Sequence, residues 1–340
     1  MAKRMTKRER LAATLAGRPV DRLPVALWRH FYVEEVTRAG FVEAMLHWQR
    51  TYDWDFLKIN ARYSYHVEDW GNRYTRPTGP DTAPALVHAC VRTADDFRHL
   101  DRLDPAGAGG RPAPVLAAHV GAVADLRRAL GADVPLLMTI FTPMSIAIDL
   151  AGGPQGLAAL IAQDATMVHV GLRTITDTFA DVAAQYLAAG ADGIFLAATH
   201  GATTTNFTRE QYEEFGRPYD LEVLAAARQA PFNLLHVCKP KSLVRELADY
   251  PAAMLNWDTA APSNPTLAQM AVAATGKAMV GGLDRDLLME RRQLDKLLAQ
   301  ARQAVDSMAS RPFVLGANCA IHTTSSPEAV QAVRDFVEKK

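Results

Sequence analysis

The chain has 340 residues, 49% of them hydrophobic and 22% charged, and its 37 basic side chains are balanced by 37 acidic ones. Zero formal net charge and no charge block argue against a nucleic-acid binder and against an acidic or basic tail. The length suffices for one large α/β barrel or for two domains. No apolar run is long enough to span a bilayer. Met1-Ala2-Lys3-Arg4-Met5-Thr6 leads into a polar helix without an apolar signal core. With only three cysteines, Cys90, Cys238 and Cys319, a cytoplasmic location without a disulfide framework is expected.

Thr6 with Glu9 forms a capping-box pattern that opens a first helix through Leu11 and Leu15, closed by Gly17 and Pro19. Leu23 to Trp28 reads as the first strand, with Arg29 and His30 just beyond it. Seven more apolar runs follow: Phe56 to Asn60, Pro135 to Phe141, Gly193 to Ala198, Phe232 to Cys238, Met254 to Asp258, Lys277 to Leu283 and Phe313 to Cys319. They are short, rich in Val, Ile, Leu and Met, and mostly non-alternating, as parallel strands covered on both faces are. Helix-like segments alternate with them. Thr208 with Gln211 caps one, and Ser325 or Ser326 with Pro327 opens the last, which puts Val330, Val333, Phe336 and Val337 on one face.

Eight strands with alternating helices predict an α/β fold of the (β/α)8 TIM type, one domain over residues 1–340. A doubly wound sheet would carry a G-x-G-x-x-G fingerprint after the first strand, and none is there. Residues 61–134 read as an insertion after the second strand, partly covering the mouth, with a helix over Ala113 to Leu130.

In such a barrel chemistry gathers at the C-terminal ends of the strands. There the chain offers Arg29 and His30, Asn60 and Arg62, Thr142, Thr199 and His200, His236 and Cys238, Asp258, Asp284, and Cys319. His236 and Cys238 are two apart, so a strand turns both to one face, where an imidazole and a thiol suit a soft divalent cation such as zinc. Cys319 is the third candidate ligand. Strands five and eight are not neighbours, so Cys319 must lean across the mouth to join them. The plainer reading of each cysteine is a small buried hydrophobe. Arg29 either anchors a loop or binds a substrate carboxylate, and Asp258 and Asp284 either serve the site or cap turns. Gly281-Gly282 either cradles an anion or makes a tight strand-to-helix turn. Cys90 falls in the insertion and has no assigned role.

Several stretches together resemble the uroporphyrinogen decarboxylase superfamily. They are Arg8-Glu9-Arg10-Leu11 through Gly17-Arg18-Pro19-Val20-Asp21-Arg22-Leu23-Pro24-Val25, Thr142-Pro143, Gly190-Ala191-Asp192-Gly193-Ile194-Phe195, Leu255-Asn256-Trp257-Asp258, Gly281-Gly282-Leu283-Asp284, and Cys319-Ala320-Ile321 to Pro327-Glu328. The resemblance implies a TIM-type barrel and one of two chemistries. Cofactor-free decarboxylases of the superfamily use an Arg-x-x-x-Arg pair after the first strand, an Asp after the second and a His near the C-terminus. Here Arg29 is kept, but the other positions hold Val33, Asn60 and Cys319. Losing that carboxylate and one cation argues against tetrapyrrole decarboxylation. The other branch, the zinc-dependent cobamide:thiol methyltransferases of the coenzyme M type, carries His-x-Cys on the fifth strand and a later Cys, matched by His236, Cys238 and Cys319. Asn318 and Ala320 flank Cys319 where that branch usually has glycines.

The expectation is therefore a zinc-dependent methyltransferase moving a methyl group from a corrinoid to a small thiol. No D-x-H-x-x-G corrinoid pattern is present, so the cobalamin is expected on a separate partner protein. Arg29 and Asn60 are the expected catalytic residues. Arg29, Arg62 and His200 are the expected substrate ligands, with Lys239 a further cation. The alternatives are a decarboxylase-type lyase and a non-catalytic barrel with a structural zinc. No nucleic-acid or membrane partner is expected, and the sequence leaves the oligomeric state open.

Overall fold

The computed structural model describes residues 4–309 and 311–338. The first helix, Lys7–Leu15, starts as its capping box predicts, with Thr6 and Glu9 exchanging side-chain-to-backbone hydrogen bonds. Eight parallel strands follow: β1 (Val25–Ala26), β2 (Leu57–Ile59), β3 (Leu136–Phe141), β4 (Gly193–Ala198), β5 (Leu234–Val237), β6 (Met254–Trp257), β7 (Ala278–Leu283) and β8 (Phe313–Ala317). Each lies within a run expected from sequence. From β2 to β8 neighbours in the chain pair in order, and β8 pairs with β1. That sequential parallel order makes a nearly closed (β/α)8 barrel and rules out the doubly wound sheet.

The seam between β1 and β2 has no strand ladder, because β1 is only two residues long. A buried carboxylate closes it instead. Asp55, just before β2, donates its N–H to Val25 O at 3.0 Å and accepts the Val25 N–H at Oδ2 at 2.8 Å. The same fully buried carboxylate pairs with Arg10 and Arg22, each at 2.6 Å. Arg10 also pairs with Asp21 at 2.7 Å, which holds the Asp21 carboxyl down at about 2. This network ties the first helix and both strand starts together at the face opposite the mouth.

The stretch expected as an insertion, 61–134, divides in two. Its last part, the helix Pro114–Leu130, packs beside the helix Arg38–Tyr52 and on β3, so it is the barrel's own crossover helix. The rest adds a short helix, Tyr65–Glu68, an antiparallel pair of strands, Arg73–Tyr74 with Leu86–His88, and a parallel two-residue pair, Leu103–Asp104 with Arg111–Pro112. Gly281 and Gly282 correct both sequence readings. They lie inside β7, in register with Leu315 and Gly316, and form neither an anion cradle nor a turn. A Cβ at Gly282, where φ is +99°, would stand 2.6 Å from the Ala304 Cβ of the covering helix Leu294–Ser307, so this position admits only glycine. Among the described residues, no single helix is long and apolar enough to cross a membrane.

Candidate metal centre

His236 occupies the third position of β5, and Cys238 extends the strand, its N–H donating to Ala198 O on β4 at 3.1 Å. Alternation turns both side chains to the barrel interior, where they line one cavity. Cys319 follows β8 by two residues and is steered by its neighbour. Asn318 donates its N–H to Leu283 O at 2.8 Å and its Nδ2 to Asp258 Oδ1 at 2.8 Å, and its Oδ1 accepts the Arg285 N–H at 3.1 Å. Asn318 thus pins the loop after β8 to the ends of β6 and β7.

The result is convergence. Cys319 Sγ lies 3.5 Å from Cys238 Sγ and 3.7 Å from His236 Nε2. The three ligand atoms all lie within 4.8 Å of one another. The sulfurs stand well beyond the S–S bond length of about 2.05 Å, and both cysteines are free. Strands five and eight need not be neighbours for their ends to meet across the mouth.

Asn256, fully buried on β6, sets the imidazole. Its Nδ2 donates to Val280 O at 2.8 Å and to Ala317 O at 3.0 Å, so its Oδ1 is the atom that faces His236 Nδ1, at 2.6 Å. An amide oxygen only accepts, so Nδ1 carries the proton and Nε2 presents its lone pair toward the sulfurs. One side chain thereby links β5, β7 and β8. This is the outer-shell support that metal-bound histidines commonly have. Two thiols and an oriented neutral imidazole are a donor set that fits zinc, with a fourth position left for a ligand from the cavity.

The thiols titrate as a pair. The hydrogen bond from Cys238 pulls the Cys319 thiol well below its usual range, against the effect of burial. The same bond, with burial, pushes Cys238 well above it. A divalent cation bound by both sulfurs would displace the protons they carry.

The cavity measures about 220 Å³. Trp28, Phe141 and Phe195 give it apolar walls. Lys58 of β2 lies in the same wall, buried, with Nζ 4.5 Å from the Phe195 ring centroid and bonded to Asn60 Oδ1. The Phe195 ring stands 5.3 Å from that of His236. Burial lowers the Lys58 ammonium to about 7, against the opposing charges of Cys319, Glu35 and Cys238.

Of the other expected site residues, Asn60 and His200 line the cavity. Burial, then the Lys239 charge, lowers the His200 pKa, and Asp149 acts in the opposite sense. Arg29 and Arg62, expected as substrate ligands, are not among the lining residues. The Arg29 guanidinium lies over Phe31 and Trp48, 4.6 and 5.2 Å from their centroids, and donates to Thr323 O. Of its two readings from sequence, loop anchor is the one its contacts describe. Arg62 is paired with Glu68 at 2.5 Å. Asp284 accepts the Asp286 N–H as a turn cap, and Asp258 caps its own loop while holding Asn318. Sequence reading missed Asn256, Lys58 and a His66–Asp149 pair in the cavity wall. Asn256 lay within a stretch singled out for resemblance, and Lys58 shares the inward face of Asn60 two residues on.

The match to the uroporphyrinogen decarboxylase (URO-D) family covers residues 6–340, and the chain belongs to that family. No curated protein matches it in sequence. Among solved structures, a methyltransferase from Methanosarcina mazei superposes with a TM-score of 0.81 at 18% identity, covering 98% of this chain and 99% of the other. A B12-independent methionine synthase from Shewanella sp. W3-18-1 gives 0.56 at 10% identity, over 93% and 97% of the two chains. A putative vitamin-B12 independent methionine synthase from Listeria monocytogenes gives 0.53 at 12% identity, over 93% and 96%. At these identities the likeness is one of fold.

Proposed function

We propose that this chain is a zinc-dependent methyltransferase that moves a methyl group from a corrinoid, carried by a separate protein, to a small thiol. The observation that carries the reading is the meeting of Cys238, Cys319 and His236, with His236 Nε2 freed for a metal by the Asn256 bond at Nδ1. The fold it shares with a protein described as a methyltransferase is in keeping with it. When bound, zinc supplies the Lewis acidity that keeps a substrate thiol deprotonated near neutral pH.

The chain's own residues do the rest. The two cysteine thiolates balance the charge of a divalent ion, so an added substrate thiolate makes the site net negative and keeps its sulfur nucleophilic. Lys58, close enough for its ammonium to feel Cys238 and Cys319, offsets that excess charge and holds the thiolate in place. Trp28, Phe141 and Phe195 keep water from the reacting sulfur.

The decarboxylase reading has less support. Val33 stands 47% exposed outside the cavity, Asn60 supplies an amide where a carboxylate is needed, and Cys319 replaces the imidazole. The deciding experiment loads the purified chain with zinc, adds methylcobalamin and a panel of small thiols, and follows loss of the methyl–cobalt absorbance. Zinc-dependent demethylation that requires a thiol is expected. Turnover of uroporphyrinogen by the metal-free chain would overturn the proposal.

A further inference from the structure

We propose that the cavity holds a second subsite, formed by Asp149, Tyr63 and Tyr74, that binds the organic ammonium group of the acceptor thiol. The thiol part rests on the methyl-transfer reading, and the ammonium site stands on its own geometry.

Asp149 is the only carboxylate among the described residues lining this cavity, and its side chain is 28% exposed. Its Oδ2 accepts from His66 Nε2 at 2.8 Å, and its backbone oxygen accepts from Asn72 Nδ2 at 2.8 Å. His66 is itself buried, its ring 4.3 Å from that of Phe141. The carboxylate is therefore held rigidly while Oδ1 has no hydrogen-bond partner among the described residues. Its position is not one that helix formation favours. Asp149 sits in the last turn of the helix Pro143–Leu150, where the negative end of the macrodipole opposes an anion.

Aromatic rings share the cavity with the carboxylate. Tyr63 and Tyr74 line the same cavity, edge to face with centroids 6.1 Å apart, and His30 stands edge-on to Tyr63 at 5.7 Å. Burial, followed by the charge of Asp149, raises both tyrosine hydroxyls. Ring faces beside a fixed anion recognise an ammonium: the quadrupoles attract it and the carboxylate pairs with it.

Two lysines line the cavity, and both belong to the metal-ligand side. Lys58 is tied to Asn60 next to the thiol ligands, which offset its charge, and Lys239 directly follows Cys238, with its charge felt at His200. Arg62, the nearest guanidinium in sequence to Tyr63, is paired with Glu68. A ligand reaching from the metal ligands to this wall thus meets negative charge and aromatic faces, which selects a small amino thiol over a neutral thiol of equal size.

The test titrates the zinc-loaded chain by calorimetry with 2-aminoethanethiol, 2-mercaptoethanol and 3-mercaptopropionate. Different thiol acidities cancel when the ratio of affinities is compared between the native chain and its variants. The preference for 2-aminoethanethiol over 2-mercaptoethanol is expected to fall about tenfold in Asp149→Asn. A severalfold fall is expected in Tyr63→Leu, whose partly exposed position spares the core. If the ratio is unchanged in the variants that fold, or if 3-mercaptopropionate binds best, the subsite is overturned. Propylammonium, followed by NMR on the metal-free chain, separates the two levels. Binding that is lost in Tyr63→Leu upholds the subsite even if no thiol binds and the methyl-transfer reading fails, and absence of that binding overturns the subsite.

Discussion

The substitution Asn256→Leu tests the metal centre through a residue that touches no metal. Asn256 is fully buried and makes three hydrogen bonds, one accepted from His236 Nδ1 and two donated to Val280 O and Ala317 O. Leucine of similar volume leaves three buried polar groups without those partners. At about 1–3 kcal/mol for each group left unsatisfied, with partial relaxation, the metal-free barrel should lose about 2–4 kcal/mol. The imidazole, no longer held in one tautomer and orientation, should bind zinc about 10–100-fold more weakly, or about 1.4–2.8 kcal/mol. Asn256→Asp separates the two effects. It keeps an acceptor for Nδ1 but sets a carboxylate against two carbonyls, so stability should fall while zinc affinity stays near the native value. Urea unfolding of the metal-free proteins gives the first quantity, and competition against a chromophoric chelator gives the second. Native zinc affinity, within threefold, in Asn256→Leu would refute the reasoning, because His236 would then need no orienting partner to bind.

Three further perturbations have definite expectations. Cys319→Ser should reduce zinc retained after dialysis from about one per chain to near none, since a hydroxyl is a poor substitute for a thiolate on this ion; metal analysis decides. Lys58 is held at about 7 by burial, below its unfolded value of 10.5, so between those two pH values the unfolded chain binds more protons and stability must rise with pH. The metal-free native chain should gain about 1.4 kcal/mol per pH unit from pH 7.5 to 9.5, and a Lys58→Met variant whose urea midpoint rises just as steeply would remove Lys58 as the cause. Asp55→Ala removes the carboxylate shared by Arg10 and Arg22, both nearly buried, leaves them only Asp21 and Glu338, and should cost about 3 kcal/mol of stability. Its effect on zinc affinity should be negligible, because the network lies at the far end of the barrel, and a parallel loss of zinc binding would contradict that separation.

The strands were legible because each is a short apolar run covered on both faces, a pattern that depends on residue type alone. β5 shows it, with Leu234 and Leu235 preceding His236, and so does β3, where Leu136 to Phe141 is apolar apart from Thr139. The His236–Cys238 pair was legible for an equally local reason, the two-residue period of a strand. The long segment after β2 was harder. Its final helix was expected at nearly the observed bounds, but nothing local says that the helix covers the barrel rather than belonging to the inserted pieces. Strand-end position also misled at Arg29 and Arg62. It brings a residue to the mouth without saying where a long side chain points, and Arg29 turns to Phe31 and Trp48 while Arg62 turns to Glu68. Asn256, Lys58 and Asp149 were invisible because their roles depend on partners from three or more segments.

On the proposed reading, the same mouth is better suited to holding a soft metal than to removing carboxylates. A decarboxylase acting on a polyacidic substrate needs free cations around the entrance and a carboxylate inside to accept the substrate's N–H groups. Here Arg29 and Arg62 are engaged elsewhere, and Val33 faces outward. The inward position just after β2 is an amide, Asn60, whose oxygen is taken by Lys58 and whose Nδ2 is buried without a partner among the described residues. An Asp at 60 would pair with Lys58 and remove the one buried cation that opposes the thiolate charge. The amide leaves that cation free to oppose the charge of sulfurs that a bound metal would hold as thiolates. Asn60, Lys58, Cys238 and Cys319 therefore form one electrostatic unit, and on the proposed reading it would also be balanced with a divalent ion and a further thiolate in place.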